Sequence, residues 1–443
     1  MKLSRYLMRS TIVAALGGFL FGFDTAVISG TTGWLRDIFS LSDVSLGFTV
    51  ATALIGTIVG SVAIGKPSDI LGRRRALYLL AALYFISAIG CAFSWGWYSL
   101  LIFRFIGGLG VGGASVVSPM YTAEISPARF RGRLVAFVQF NVIFGILMAY
   151  CSNYVISLFE LGSIEWRWMF GIEAVPAAAF FALLCINPES PRWLVAKGRI
   201  DEASEVLNKV GTDTGSVEEE IKEIQVSLDL EHHTLKERFF RKAYFKPITL
   251  AIMMAAFNQL SGINALLYYA KDIFLMAGYG SKSALFQSAV VGFVMLVFTI
   301  LAMVIIDHVG RKKLMYIGSV GYIISLLGVA YAFVTGGGIL VLISLMVYLA
   351  AHGFGQGAVI WVFISEVFPN RVRARGQALG SFTHWFMAAV ISQTFPPLVT
   401  LLGGYVFLIY AGFMVLQLLW TAFIMPETKR ISLEKIQKEF GIE

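Results

Sequence analysis

Twelve apolar stretches, each long enough to cross a bilayer, limit what this 443-residue chain can fold into more than any other feature. Crossing the hydrocarbon takes about 20 residues. The stretches fall near 11–33, 45–65, 76–95, 97–119, 132–157 and 167–187, then near 246–277, 285–306, 313–334, 339–364, 376–402 and 404–425. Lipid offers no partner to backbone N–H and C=O groups, so segments of this length must satisfy their own and form helices. The expectation is an all-α membrane protein with twelve transmembrane helices. Composition agrees: 57% of residues are hydrophobic and 14% charged, against about 25% charged in soluble domains. Lipid is therefore the first partner. The short basic start, Met1-Lys-Leu-Ser-Arg5, is like that of a signal peptide, but the apolar run that follows is too long and reads as the first span.

The net charge of +8 could point to nucleic acid, yet its distribution explains it. Apart from Arg36, Arg104, Arg167, Lys271 and Lys282, every Lys and Arg lies in the N-terminal segment, the C-terminal segment or a loop after an even-numbered span. Basic short loops stay cytoplasmic. Both termini are therefore expected inside a cytoplasmic (inner) membrane, and no nucleic-acid partner is called for.

The chain repeats itself. Asp69-Ile-Leu-Gly72-Arg73-Arg74 returns as Asp307-His-Val-Gly310-Arg311-Lys312, 238 residues later. Glu124-Ile-Ser-Pro127-Ala-Arg129-Phe-Arg131 returns as Glu366-Val-Phe-Pro369-Asn-Arg371-Val-Arg373, 242 residues later. Pro188-Glu189-Ser190 returns as Pro426-Glu427-Thr428, again 238 apart. Each follows the second, fourth or sixth span of its half. Two six-helix halves related by an axis along the membrane normal are a known transporter plan. The boundaries expected are 1–187 and 246–425 for the halves, 188–245 for a cytoplasmic linker and 426–443 for a cytoplasmic tail. Within the linker, Val217, Ile221, Ile224 and Leu228 share one face of a helix, which predicts short amphipathic helices lying under the bundle.

Several enzyme and cofactor readings drop out. Gly108-Leu-Gly110-Val-Gly-Gly113 matches the dinucleotide pattern. That pattern needs a strand before it and a helix opening after it, whereas here it sits inside a span, where small residues let helices approach. No phosphate-binding loop, nucleophile–base set or metal cluster stands out, so no cofactor, no metal and no enzyme activity are expected. Cys91, Cys151 and Cys185 sit in apolar runs and read as buried small residues rather than a disulfide framework.

Charge inside the membrane marks the chemistry. Asp24 lies well within the first span and Arg104 within the fourth, at depths that let them meet. Ions there face the bundle interior and pair. A static pair is one reading. The other is a proton site, in which Arg104 keeps Asp24 ionised while paired and separation lets the carboxylate take a proton.

Taken together, these residues resemble the sugar porter family of the major facilitator superfamily, over essentially the whole chain. The resemblance rests on Gly18-Phe-Leu-Phe-Gly-Phe-Asp24-Thr-Ala-Val-Ile-Ser-Gly30, Asp69 to Arg74, Arg104 with its glycine run, Pro119-Met-Tyr-Thr-Ala-Glu124, Arg131-Gly-Arg-Leu134 and Pro188-Glu-Ser-Pro-Arg192. It continues through Gln259-Leu-Ser-Gly-Ile-Asn264, Tyr268-Tyr269, Asp307 to Arg311, Trp361, Glu366, Arg373 and Pro426-Glu-Thr-Lys429. Bacterial proton-coupled members, of the xylose, glucose and arabinose types, carry an acid at the Asp24 position, so the resemblance implies proton symport through Asp24 and Arg104.

It also implies a monosaccharide site. Side-chain amides supply the donors and acceptors a sugar needs, and aromatic faces supply a surface for its ring. Gln139, Gln259, Asn264 and Trp361 match family sugar contacts, and Asn258, Tyr268, His384 and Trp385 stand beside them. This chain departs from the pattern in four places. Asn258 stands where a glutamine is common, Met295 where an asparagine is, and His384 where an amide precedes Trp385. Gly355-Gln-Gly-Ala-Val-Ile-Trp361 lacks the usual proline. The departures leave pentose or hexose open.

The repeated loop motifs imply two cytoplasmic gates, Asp69, Arg73, Glu124, Arg131, Glu189 and Arg192 in one half and Asp307, Arg311, Glu366, Arg373 and Glu427 in the other. The mechanism expected is import of a pentose or hexose with a proton by alternating access around a midplane site, in a protein that works as a monomer. A uniporter with a structural Asp24 and a sugar sensor are the alternatives.

Overall fold

The structure, a computed structural model, describes residues 4–212, 216–234, 239–369 and 372–429, with the side chains of 229–234 and of Asp307 outside that description. Arg371, the tail from 430 onward and the Asp307 side chain, all named above, therefore lie outside it. The described residues are helical almost throughout and contain no strand.

The first six spans are Arg5–Gly30, Asp43–Ala63, Arg73–Ala92, Trp97–Ile125, Ala128–Ser157 and Gly162–Ile186. Lys242–Tyr268, Ser281–Ile306, Arg311–Thr335 and Ile339–Val367 follow. The last apolar segment, Arg373–Phe423, is divided by a 3₁₀ turn at Gly403–Tyr405 into Arg373–Leu402 and Val406–Phe423, which makes twelve spans. Several begin earlier than their apolar runs. The third opens at Arg73, whose charge is met by Glu124 and Asp69 while the backbone is already helical.

By contact density the chain forms two compact units. One comprises Met1–Thr25, Ile55–Ala149 and Trp166–Lys236, the other Ala26–Leu54, Tyr150–Glu165 and Glu237–Glu443. In the first unit glycines set the helix spacing. A Cβ on Gly56 would lie 2.4 Å from the Phe105 carbonyl oxygen, one on Gly60 2.4 Å from that of Leu109, and one on Gly112 2.1 Å from that of Thr57. The second and fourth spans thus touch backbone to backbone, and Gly112 of the dinucleotide-like run serves as a packing residue.

The linker folds onto this unit. Ser190 caps the helix Pro191–Ala196 by accepting from the Trp193 N–H at 3.2 Å, with Pro191 at its first position. Helices Ile200–Val210 and Val217–Thr234 follow. Trp193, Leu194, Val206, Leu207, Val210 and Ile221 are buried in one cluster with Leu7, Leu77 and Leu80, and Val217, Ile224 and Leu228 pack against it. Burying a side chain of this size is worth about 1.5–3 kcal/mol. The four-residue apolar stripe is therefore what holds the last linker helix down.

In the second unit two spans are irregular. The seventh is built from Phe245–Leu260, Ile263–Tyr268 and Ala270–Met276, with its first break at Gly262, in the left-handed conformation. The tenth carries a π-helical turn at Gly353–Gly357, where three glycines in five residues weaken the regular helix. The same unit includes the ends of the first, second and fifth spans. Asn153 donates to the Val27 carbonyl at 3.0 Å, Lys271 to that of Gly30 at 3.4 Å, Tyr150 to that of Leu267 at 2.7 Å and Gln393 to that of Val44 at 2.9 Å. Of the three cysteines Cys91 is buried, Cys151 partly so, and Cys185 is exposed; all are free thiols. Burial is the sequence expectation for Cys185, but it is exposed in the last turn of its span.

Candidate transport site

The first and fourth spans bring Asp24 and Arg104 together. Arg104 Nη1 donates to Asp24 Oδ1 at 2.8 Å, with side chains 1% and 4% exposed. Two neighbours fit the pair. A Cβ on Gly107 would lie 3.3 Å from Asp24 Oδ1 and 2.4 Å from the Ser87 hydroxyl, so the missing side chain is what admits the carboxylate. The Phe170 ring lies 5.6 Å from the guanidinium carbon of Arg104, a cation–π contact. Glu173 of the sixth span is also buried, within electrostatic reach of both members. Its Oε1 has no hydrogen-bond partner among the described residues.

The second unit gathers amides and aromatics instead. Gln259 Nε2 donates to Asn258 Oδ1 at 3.0 Å and lies 3.2 and 3.3 Å from the two ring nitrogens of His384. The His384 ring is 5.1 Å from that of Trp361 and 4.8 Å, edge-on, from that of Trp385. Asn258, Gln259, Trp361, His384 and Trp385 therefore form one group drawn from the seventh, tenth and eleventh spans. Asn264 and Tyr268 are buried one and two turns further along the seventh span. Two atoms in this region have no hydrogen-bond partner among the described residues, Gln259 Oε1 and Asn264 Nδ2. One is an acceptor and the other a donor, the complement of a polyol. Met295 is buried and apolar. Gln139 is half-buried on the fifth span, in the other unit.

The loop motifs form one bonding pattern twice. In the first unit Arg73 holds Glu124 through Nε at 2.9 Å and Nη2 at 3.0 Å, and Asp69 through Nη1 at 2.9 Å. Glu189 accepts from the Arg74 N–H at 3.0 Å, capping the third span, and Ser190 donates to Glu124 at 2.5 Å. In the second unit Arg311 holds Glu366 at 3.2 and 2.9 Å. Glu427 accepts from the N–H groups of Arg311 and Lys312 at 3.0 and 3.1 Å, and Thr428 donates to Glu366 at 2.6 Å. A carboxylate at a helix N-terminus meets unsatisfied N–H groups and the positive end of the dipole. Gly72 and Gly310, at φ 95° and 102°, make room for it. A Cβ there would lie 2.3 Å from Glu189 Oε2 and 2.7 Å from Glu427 Oε2.

Three cations of the motifs are placed otherwise. Arg131 donates to the Ala123 and Ser126 carbonyls, and Arg192 to the Ser227 hydroxyl at 3.2 Å. Arg373 has Glu366 as an electrostatic neighbour without a hydrogen bond from Nε or Nη2 among the described residues.

Comparison with known proteins decides the family. The model of the "Sugar (and other) transporter" family matches residues 10–440. The chain belongs to that family. It is 38% identical over 440 residues to the arabinose-proton symporter of Bacillus subtilis, covering 98% of this chain and 95% of the relative. It is 38% identical over 472 residues to the D-xylose-proton symporter of Escherichia coli, covering 98% and 96%. Among solved structures it resembles the inward-open conformation of the xylose transporter XylE from E. coli, with TM-score 0.87, 38% identity and coverage of 98% and 100%. XylE bound to 6-bromo-6-deoxy-D-glucose matches with TM-score 0.80, 38% identity and coverage of 98% and 99%. A multi-pass, twelve-helix transporter is thereby established.

For a sugar transporter, the sequence reading overlooked residues of two kinds. Glu173 was missed although an acid within the apolar run 167–187 is the signal that singled out Asp24. Gln356 of the tenth span and Gln417 of the twelfth were missed too. Both are completely buried and linked to Asn258, with Asn258 Nδ2 donating to Gln356 Oε1 at 3.4 Å and Gln356 Nε2 to Gln417 Oε1. Their signal was a lone amide in an otherwise apolar span.

Proposed function

We propose that this transporter imports a pentose or hexose together with a proton by alternating access. The observation that carries the reading is the buried Asp24–Arg104 pair. Both ions have left water, a state that is expensive in hydrocarbon, and together they give the bundle one carboxylate that can change charge. Protonation of Asp24 removes its attraction for Arg104 and loosens the first span from the fourth, which links proton occupancy to helix position. Glu173 is a second buried carboxyl within electrostatic reach of the pair. Sugar binds at Asn258, Gln259, Asn264, Tyr268, Trp361, His384 and Trp385 in the second unit. The named arabinose and xylose symporters among the relatives support this substrate class.

In this reading both termini and residues 188–245 lie in the cytoplasm of a bacterial-type inner-membrane protein, which the basic loops support, and the protein works as a monomer whose halves, 1–187 and 246–425, rock about the site. In that orientation the Lys271–Gly30 and Asn153–Val27 contacts lie at the outer face. The Arg73–Glu124 and Arg311–Glu366 clusters act as the cytoplasmic gate elements.

Uptake of labelled D-xylose, L-arabinose and D-glucose into proteoliposomes, with and without an inward proton gradient, tests the function. Accumulation of one sugar only under the gradient is expected. Equal equilibrating uptake in both conditions would reduce the protein to a uniporter. An introduced Lys222→Cys should resist an impermeant thiol reagent added outside intact cells, and modification from outside would overturn the orientation.

A further inference from the structure

The amides of the second unit form a chain with a direction. Gln259 Nε2 donates to Asn258 Oδ1 at 3.0 Å, and Asn258 Nδ2 to Gln356 Oε1 at 3.4 Å. Gln356 Nε2 donates to Gln417 Oε1, and Gln417 Nε2 to the Ser319 oxygen at 2.8 Å. Ser319 in turn donates to the Met315 carbonyl at 2.7 Å. Asn258, Gln259, Gln356, Gln417 and Ser319 are all buried, at 2% exposure or less, so water does not compete for these bonds.

The far end fixes the direction of the chain. The two ends of a side-chain amide have the same shape, so either orientation fits sterically, and the hydrogen-bond partners decide between them. A carbonyl can only accept, so the single Ser319 proton is committed to Met315, within the helix. The Ser319 oxygen is then an acceptor, and Gln417 must turn its NH₂ toward it. Gln417 Oε1 then faces Gln356 and requires an NH₂ there, and the same logic passes through Asn258 to Gln259. Gln259 is left with its NH₂ spent on Asn258 and His384 and with Oε1 as its remaining group. That Oε1 is the atom without a partner among the described residues.

We infer that Gln356, Gln417 and Ser319 are positioning residues for specificity: through this relay they lock Gln259 so that it meets the sugar as an acceptor, and the hydroxyl placed there must donate. The inference rests on the reading of Gln259 as a sugar ligand. The relay crosses the π-helical turn at Gly353–Gly357, which contains Gln356. It joins the seventh, tenth, twelfth and ninth spans, none of whose relay residues beyond Asn258 touches the proposed ligand.

Fluorine replaces a hydroxyl at similar size but cannot donate, so it reads the polarity of Gln259. The probes are D-xylose and D-glucose with their single-position deoxyfluoro derivatives, competed for binding to the purified carrier. At one ring position the wild type should discriminate against fluorine by roughly three- to tenfold, the range of one neutral hydrogen bond. Ser319→Ala removes the anchor and leaves the chain free to run either way, so discrimination at that position should fall to about twofold or less with parent-sugar affinity little changed. Gln417→Met, which cuts the relay without a large change of volume, should do the same, and Ser319→Thr should restore the wild-type ratio. An unchanged ratio in Ser319→Ala and Gln417→Met, or an equal loss for all derivatives, would overturn the relay while Gln259→Ala still weakens binding. A wild-type carrier that binds neither sugar, or a Gln259→Ala variant that binds them unchanged, would instead bring down the sugar site itself.

Discussion

Inside the membrane the first unit buries Asp24, Arg104 and Glu173, whereas the second buries Asn258, Gln259, Gln356 and Gln417. In the loops the two halves instead carry nearly the same bonds, Arg73 on Glu124 beside Glu189 and Arg311 on Glu366 beside Glu427. The repeat has thus kept its loop bonds in duplicate while the side chains buried within the membrane differ. A buried charge and a neutral amide respond differently to a proton. In the proposed mechanism Asp24 takes the proton in one unit while most of the sugar ligands, Asn258 and Gln259 among them, lie in the other, so protonation can act on helix position with their hydrogen bonds left in place.

The comparison breaks most sharply at Arg104. Arg104→Leu removes the only cation hydrogen-bonded to Asp24 among the described residues and leaves two buried acids close together. Loss of one partner of such a pair costs about 3–5 kcal/mol, so the variant should denature well below the wild type in detergent. A double variant, Asp24→Asn with Arg104→Leu, should recover much of that loss. Equal thermal stability of Arg104→Leu and wild type would mean that the pair carries no structural weight.

The duplicated loops predict smaller and matched effects. Gly72→Ala and Gly310→Ala each force a side chain into a positive-φ conformation and against a capping carboxylate. Strain of this kind is worth about 1–3 kcal/mol. The two should destabilise to a similar extent, and a large effect at one site with none at the other would show that the mechanical parts are not equivalent. The amides should respond least. Gln259→Ala or Asn264→Ala removes one neutral hydrogen bond to the sugar, about 0.5–1.5 kcal/mol. Affinity for the transported sugar should fall several-fold, as read by isothermal titration, with the folding transition unmoved.

Much of this was legible in the sequence because lipid leaves few alternatives. Length and hydropathy gave the spans, and the three recurring motifs gave the loop bonding pattern that occurs twice. Asp24 and Arg104 could be paired because a charge in an apolar run has few acceptable partners. What stayed hidden depends on contacts between distant segments. The compact units do not follow the repeat, since Ala26–Leu54 and Tyr150–Glu165 join the second unit, and no local pattern records which span ends meet. Ser261-Gly262 could have suggested the break in the seventh span, yet its extent is set by packing, as by the Tyr410 ring that a Cβ at Gly262 would meet at 2.8 Å. Arg131, Arg192 and Arg373 belong to the motifs, but Arg131 donates to backbone carbonyls and Arg192 to the Ser227 hydroxyl, and Arg373 meets Glu366 without a hydrogen bond from Nε or Nη2 among the described residues. Glu173, Gln356 and Gln417 each looked like a single polar residue in a helix, and only their neighbours give them meaning.

The central claim is that Asp24 carries the coupled proton, and Asp24→Asn tests it while keeping shape and much of the hydrogen bonding. The decisive measurement is sugar counterflow beside pH-gradient-driven uptake in the same proteoliposomes. The variant should retain counterflow, because the amides are untouched, and lose accumulation against a gradient. Full proton-driven accumulation by Asp24→Asn would contradict the account, and loss of both activities together would reduce the pair to a structural one.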